Sequence, residues 1–576
     1  MQKINAQEKL HDFTDFVHST MQEWKVQGLA IAIVHNGEVL FEQGFGKRDV
    51  AHDLAVTPRT LFPIASCTKA FTTAALGILA DEGKLDWDTP VRHYLPAFKL
   101  YDTLASERIT PRDLVTHRSG LPRHDLSWYH SSASRQEMFE RLPYLEPTTD
   151  IRSFWQYQNI MYMTAGYLLE QITGQTWEDF VQERLFKRLE MTHSNFSAQL
   201  AEKEGAEVSR PYQEVKDEIK ELPFYEQWGI GPAGSIVSCV EDMSKWVRMH
   251  LRQGIHKNTR ILYAGQVARL HTPQMVMPET SRHPEIPYSS YAHGWIVLPY
   301  KGYPMVRHGG NIDGFSSLTT LFPRENIGMV VLTNMGQSPV PSILTYNAFE
   351  HLLSLEETPW RARLLHEQAE TKAAEKRGSE QSATNRIPDT QPSHALVAYV
   401  GNYAHPGYGT LAVHLQDGQL QATYNNMTGT LQHYHYDIFE MLIEQLELPM
   451  KVSFSTNMQG DIEALTAPFE TTAKDIVFRR TANPELCEKS FLEQFVGIYA
   501  VLSMQMVVTL KGENALQISV FGQPDYELEA YQGTEFHVKG MSNLSVVFQP
   551  NKDKTVTEAL LTLPYGTFTA SKVQYA

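Results

Sequence analysis

The chain has 576 residues, 42% of them hydrophobic and 20% charged, the composition of a folded globular protein rather than of a disordered chain. That length exceeds one ordinary hydrophobic core and implies two to four domains. With 50 basic and 66 acidic residues the formal charge is −16, which disfavours nucleic acid and anionic membrane as main partners.

Residues from Glu8 to Trp24 read as an amphipathic helix. Two strands follow, Leu29 to Val34 and Glu38 to Gln43, joined at Asn36-Gly37, a strong hairpin signal. The start Met1 to Lys9 has no apolar signal core, and Leu29 to Val34 is too short to span a bilayer, so a cytoplasmic location is the expectation.

Phe62-Pro63-Ile64-Ala65-Ser66-Cys67-Thr68-Lys69 then runs into a helical pattern through Leu79, with Gly83 as its stop. Ser66 sits at the first turn and Lys69 lies three residues on, on the same face. A neutral lysine beside a serine hydroxyl can accept its proton, and the helix N-terminus adds positive potential where an oxyanion would form. Ser66/Lys69 is the only S-x-x-K in the chain. Taken alone, a helix-capping serine followed by a solvated lysine is the commoner meaning of so short a pattern.

The three cysteines, Cys67, Cys239 and Cys487, are odd in number and far apart, so no disulfide framework is implied. Cys67 adjoins Ser66 but points about 100° away on a helix, which makes it a packing residue. No Cys/His cluster has zinc spacing, and neither a metal nor a cofactor is expected.

Pro111 to Thr116 begins another helix, and His117 precedes the turn Ser119-Gly120-Leu121-Pro122. A histidine before a tight turn is more often a local hydrogen-bonding post than a catalyst. Tyr157-Gln158-Asn159 precedes a helix from Met163 to Thr173, which ends at Gly174. Gly231-Pro232-Ala233-Gly234-Ser235 is a turn before a helix from Val240 to Leu251. Late strands follow at Gly294–Leu298, Pro304–Arg307, Phe315–Phe322 and Ile327–Thr333, with a closing helix from Ser342 to Ser354. Strands at both ends of a helical middle imply one α/β domain whose antiparallel sheet draws on both ends.

His366 to Pro392 is polar and poor in β-branched residues, a helix tail followed by a flexible linker. Beyond it, short alternating strands dominate. Tyr399-Val400-Gly401-Asn402-Tyr403-Ala404 recurs 96 residues on as Phe495-Val496-Gly497-Ile498-Tyr499-Ala500. Each copy leads into an alternating strand pair, Leu411 to Tyr424 and Met506 to Val520, so two small antiparallel β modules are expected, closed as barrels to remove sheet edges.

Two further motifs raise the weight of Ser66: Tyr157-Gln158-Asn159, and His308-Gly309-Gly310 leading into Asn311-Ile312-Asp313-Gly314-Phe315. Each alone is weak, since Tyr424-Asn425-Asn426 and His405-Pro406-Gly407 show the same short patterns. Their order after S-x-x-K, together with His117-Arg118-Ser119-Gly120-Leu121-Pro122, closely resembles the serine β-lactamase/penicillin-binding superfamily, in its class C β-lactamase-related branch of serine hydrolases. The resemblance covers residues 8–355; more loosely, the tail resembles the D-aminopeptidase type, whose catalytic domain carries two β-barrels, and lipocalin-like C-terminal domains.

The resemblance implies an α/β fold: a β-lactamase/transpeptidase-like domain with an antiparallel sheet and a helical subdomain (1–365), a linker (366–392), and two lipocalin-like β-barrel modules (393–484 and 485–576). It implies Ser66 as nucleophile, Lys69 as its proton partner, Tyr157 as base or relay, and Asn159 as the residue orienting Lys69 or the substrate amide. The backbone N–H groups of Ser66 and Asn311 would form the oxyanion hole, with Gly309 and Gly310 keeping the strand edge bare for substrate.

His308 stands where many β-lactamases and DD-peptidases have lysine. Histidine is mostly neutral above pH ~6.5, so selection for a substrate carboxylate at this position is weakened and would return only as the pH falls. The reading is therefore a metal-free serine hydrolase, a D-aminopeptidase-like peptidase or an esterase. Its rivals are β-lactamase/DD-peptidase activity and, in another class, a catalytically silent penicillin-binding-like sensor. Expected partners are a small-molecule or peptide substrate and, at most, further copies of the same chain.

Overall fold

In a computed structural model, which describes residues 9–573 except 227, 279–281, 447–448, 483, 503 and 554, the chain divides into two units. The first is Met1–Asn385 with Glu470–Lys474; the second is Arg386–Phe469 with Asp475–Ala576.

The first unit opens on helix α1 (Phe13–Glu23); Glu8, the expected start, lies outside the described residues. Strands β1 (Gly28–His35) and β2 (Glu38–Asp49) form the expected hairpin, with Asn36 at φ 52° and Gly37 at φ 81°, the left-handed pair that such a tight turn demands. After the short β3 (Leu54–Ala55) come helices α2 (Thr68–Asp81), α3 (Asn159–Thr173) and α4 (Val240–Leu251) of the helical middle. The chain then returns to the sheet through β4 (Met275–Val276), β5 (Ser290–Tyr291), β6 (Ile296–Tyr300), β7 (Tyr303–Ile312), β8 (Phe315–Phe322) and β9 (Ile327–Thr333). Helices α5 (Val340–Leu353) and α6 (Trp360–Thr384) follow.

Among the described residues these nine strands form one sheet in the order β4-β5-β6-β7-β8-β9-β1-β2-β3. The seam is the antiparallel pair β1/β9, with Leu29 opposite Thr333 and Ile33 opposite Met329, so the two ends of the segment meet as expected. Strands β1, β8 and β9 are buried along their whole length, because both sheet faces are covered. On one face Leu29, Ile31, Ile33, Met329 and Val331 share a core with Phe13 and Val17 of α1 and Ile343, Leu344 and Phe349 of α5. The other face takes α4: a Cβ at Gly328 would lie 2.0 Å from Val247 Cγ1, so only glycine permits that approach.

Several details differ from the periodicity: α3 starts at Asn159, four residues before the expected Met163, and β2 runs to Asp49, six residues past the expected Gln43. Strand β7 extends to Ile312, five residues past the expected Arg307, so the whole His308-Gly309-Gly310 motif is sheet. Strands β4 and β5, two residues each, are too short to leave a periodic signal. The polar stretch after 366 is helical through Thr384, in keeping with its run of alanine, glutamate and lysine, all strong helix formers. No helix among the described residues is long and apolar enough to cross a membrane.

In the second unit the described residues form two closed antiparallel barrels of eight strands each, from Gly401–His405 to Ile476–Thr481 and from Gly497–Val501 to Gly566–Lys572. The internal repeat has a physical cause. Tyr403 donates to the Tyr399 carbonyl at 2.8 Å and Tyr499 to the Phe495 carbonyl at 2.9 Å, and both tyrosines are buried. Each lies opposite a cation on the closing strand, Arg480 and Lys572, whose side chain crosses the glycine of the motif, Gly401 or Gly497. A side chain on either glycine would displace that cation.

Candidate active site

Ser66 lies in a single 3₁₀ turn, Ala65–Cys67, that leads directly into α2. Ala65 is held at φ 46°, a left-handed conformation that a residue with a Cβ adopts at some cost. Cys67 is buried, and its thiol donates to the His308 carbonyl at 3.1 Å. Burial pushes that thiol pKa up, which suits packing and not nucleophilic attack.

Lys69 is fully buried, with Nζ 3.0 Å from Ser66 Oγ, 2.7 Å from Asn159 Oδ1 and 2.9 Å from the Ala233 carbonyl. Burial first, and then the nearby Arg123 cation, hold its pKa well below the ordinary lysine value. A neutral amine has two N–H groups and one lone pair. The two carbonyl oxygens absorb the N–H groups, and the lone pair is left for the Ser66 hydroxyl. This geometry suits an amine that accepts the serine proton.

Tyr157 donates to Ser66 Oγ at 2.8 Å from the other side. Burial raises its phenol pKa, so the resting group is an acid and not a phenolate. It is placed by its neighbour Gln158. The Gln158 side chain caps α3 by accepting from the Ile160 amide through Oε1 and donates through Nε2 to the Pro122 carbonyl, while the Gln158 backbone N–H donates to His117 Nδ1 at 3.0 Å. The His117 ring lies 4.3 Å from the Tyr157 ring, centroid to centroid, with φ 57° at His117. His117 is thus a post beneath Tyr157, kept neutral by burial.

Asn159, the first residue of α3, accepts from Lys69 through Oδ1 and donates to Asp125 Oδ1 at 3.1 Å through Nδ2. It touches the lysine, the first of the two partners expected for it. Beyond Arg307, β7 has no partner on the β6 side among the described residues, so His308 to Ile312 present a free edge. An ideal Cβ at Gly310 would sit 2.1 Å from the Ile64 carbonyl and 3.0 Å from the Ser66 amide nitrogen, so glycine lets this strand lie against the Ser66 turn. Gly309 and Gly310 precede Asn311, which is exposed and whose side chain accepts from Ser316 Oγ at 2.8 Å.

His308 departs from its expected behaviour. It is 3% exposed, its Nδ1 donates to the Gly309 carbonyl at 2.7 Å and its Nε2 accepts from Tyr291 Oη at 2.9 Å. Burial, and then the proximity of Lys69, push its pKa down to about 3. The histidine is neutral at any ordinary pH, so mild acid does not create a substrate-binding cation here. Among the described residues its side chain bonds neither Ser66 nor Tyr157.

Sequence patterns passed over four participants: Arg123, Asp125, Ala233 and Tyr291. Arg123 and Asp125 directly follow the His117 to Pro122 stretch, and their opposite charges around one histidine were the available signal. Ala233 contributes a carbonyl, which any residue could supply. Tyr291 comes from a strand too short to be seen. No group of three or more His, Cys, Asp or Glu side chains among the described residues could hold a metal ion.

Comparison with known proteins agrees with this architecture. A family profile described as Beta-lactamase matches residues 13–352, and one described as a domain of unknown function, DUF3471, matches residues 385–480. The unguisins hydrolase ungD' of Aspergillus campestris (strain IBT 28561) is 28% identical over 420 residues, covering 70% of this chain and 77% of its own. The octameric penicillin-binding protein homologue from Pyrococcus abyssi shares the fold at a TM-score of 0.54 and 22% identity, over 81% of this chain and 99% of its own. The D-amino acid amidase from Ochrobactrum anthropi SV3 does so at 0.51 and 20%, over 60% and 99%. The Ser66 turn, the sheet that joins strands from both ends of the matched segment and a profile match across more than half of the chain together show that this chain belongs to the Beta-lactamase family.

Proposed function

We propose that the chain is a serine hydrolase that cleaves an amide, peptide or ester bond through an acyl-enzyme on Ser66. The observation that carries this reading is Lys69: buried, depressed in pKa, both N–H groups engaged, and 3.0 Å from a serine hydroxyl. Lys69 takes the Ser66 proton as Oγ attacks the carbonyl carbon. Tyr157, protonated and hydrogen-bonded to the same oxygen, completes the path by which that proton reaches the leaving group. The Ser66 amide in its turn and the Asn311 amide on the free edge of β7 receive the developing oxyanion. Water then attacks the acyl carbon and Lys69 and Tyr157 run the proton path in reverse.

Within this class we favour a peptidase of the D-aminopeptidase kind or an esterase over a β-lactamase or DD-peptidase. The neutral His308 supports that preference, since no fixed cation stands at its position. A hydrolase among the curated relatives and an amidase among the fold neighbours support it at the level of reaction type.

The test is covalent labelling by a fluorophosphonate probe, with peptide mapping, followed by a panel of D-amino acid amides, p-nitrophenyl esters and nitrocefin. Ser66 should carry the label, and Ser66→Ala should abolish labelling and turnover while costing about 1 kcal/mol of stability or less. Activity retained in the alanine variant would refute the assignment.

A further inference from the structure

Arg123 is a charged side chain beside the nucleophile that the proton path does not use. Its guanidinium carbon lies 4.9 Å from the centroid of the Tyr157 ring, and that ring's hydroxyl is 2.8 Å from Ser66 Oγ. Its Nε donates to Asp125 Oδ2 at 2.5 Å. Asp125 is fixed in turn through Oδ1, which accepts from Trp128 Nε1 at 3.0 Å and from Asn159 Nδ2 at 3.1 Å. The segment is braced on its other flank, where His124 (φ 47°) donates its amide to Glu470 Oε2 and the second Glu470 oxygen accepts from Thr472. Glu470 is thus engaged elsewhere.

The guanidinium is therefore oriented by one edge and free at the other. Its side chain is 54% exposed, and among the described residues its two Nη groups donate to no partner. With His308 neutral and Lys69 buried, Arg123 is the cation that a molecule approaching Ser66 meets beside Tyr157. One guanidinium edge offers two parallel N–H donors, the complement of a single carboxylate.

We propose that Arg123 is a specificity-determining residue, taking a carboxylate of the substrate through its free Nη edge while Asp125 holds the opposite edge. The inference rests on the serine hydrolase reading. It restores, on a different element, the carboxylate recognition that His308 does not supply. An arginine anchored by its Nε is better suited to this than an unanchored one, because less side-chain freedom is lost on binding.

The experiment measures the second-order rate of Ser66 labelling by two fluorophosphonate probes that differ only at the tail, a free carboxylate against its methyl ester. The unmodified protein should react about tenfold faster with the carboxylate probe, the order expected of a charge-assisted fork at a half-exposed site. In R123M that ratio should fall to about one, and R123K, which keeps the charge without the fork, should lie between. A thermal melt establishes that each variant is folded; if R123M is not, the preference of the unmodified protein and the R123K ratio decide. A wild-type ratio near one, or a ratio that survives in R123M because both rates fall together, overturns the inference and assigns Arg123 to Tyr157 alone. Failure of both probes to label Ser66 would instead overturn the hydrolase reading, so the two failures are distinct.

Discussion

Ser66 Oγ is approached by two groups with opposite protonation habits. Lys69 is pushed towards the neutral amine by burial, and Tyr157 is pushed towards the protonated phenol by the same cause. A buried pair of this kind works as one proton path. Lys69→Ala and Tyr157→Phe should each lower kcat/KM by about a hundredfold or more, the usual scale for a positioned proton donor or acceptor. The double variant should be little slower than the slower single one, because the path is already broken. Losses that add in log rate would show that the two residues serve separate steps. Ser66 and Lys69 were legible from their spacing on one helix face, and Tyr157 and Asn159 through the resemblance in motif order. His308 was legible as a member of the site but not in its state: its partner Tyr291 and its 3% exposure are properties of packing.

At the scale of elements, the site depends on one close contact between α3 and the Gly231–Gly234 turn. An ideal Cβ at Gly166 would lie 2.1 Å from Pro232 Cγ and 2.6 Å from Pro232 Cβ. The proline ring cannot rotate away, so α3 approaches only because residue 166 is glycine. The neighbouring Ala233 carbonyl is the one that accepts from Lys69. Gly166→Ala should cost about 1–3 kcal/mol of stability through overpacking. It should also slow Ser66 labelling, because the turn moves off Lys69. Denaturant midpoints and probe kinetics on the same preparation check both effects. Unchanged labelling in a destabilised variant would show that the turn shifts without disturbing the lysine.

At the scale of the molecule, buried histidines set the response of the first unit to acid. Burial pushes the pKa of both His293 and His308 down to about 3 from an ordinary value near 6.5. Between those values the unfolded chain binds protons that the folded one refuses, so stability rises with pH across this window. It is fully present above about pH 6.5 and is lost as the pH falls towards 3, at about 1.4 kcal/mol per pH unit for each histidine. Chemical denaturation at pH 7, 6 and 5 should show the first unit weakening by several kcal/mol across the series. Constant stability from pH 7 to 5 would mean that these rings are hydrated in solution.

The amino-acid sequence by itself determined what depends on neighbours along the chain. The Asn36-Gly37 hairpin, the Ser66 turn and its helix, and the duplicated tail express local dihedral preference or periodic burial, both legible from residue type, and the order of the three motifs was legible as a family resemblance. The closed barrels were expected from the repeat and its alternating strands, since closure removes sheet edges. Only the tertiary structure decided what depends on approach between distant segments. The Ala233 carbonyl on Lys69, Tyr291 on His308, and Asp125 joining Arg123 to Asn159 are contacts between groups 164, 17 and 34 residues apart. The residue types in those contacts are common, and no spacing announces them. Burial, which fixes whether Lys69 and His308 carry charge, belongs to the packed fold as a whole, because it is the removal of water by many segments at once.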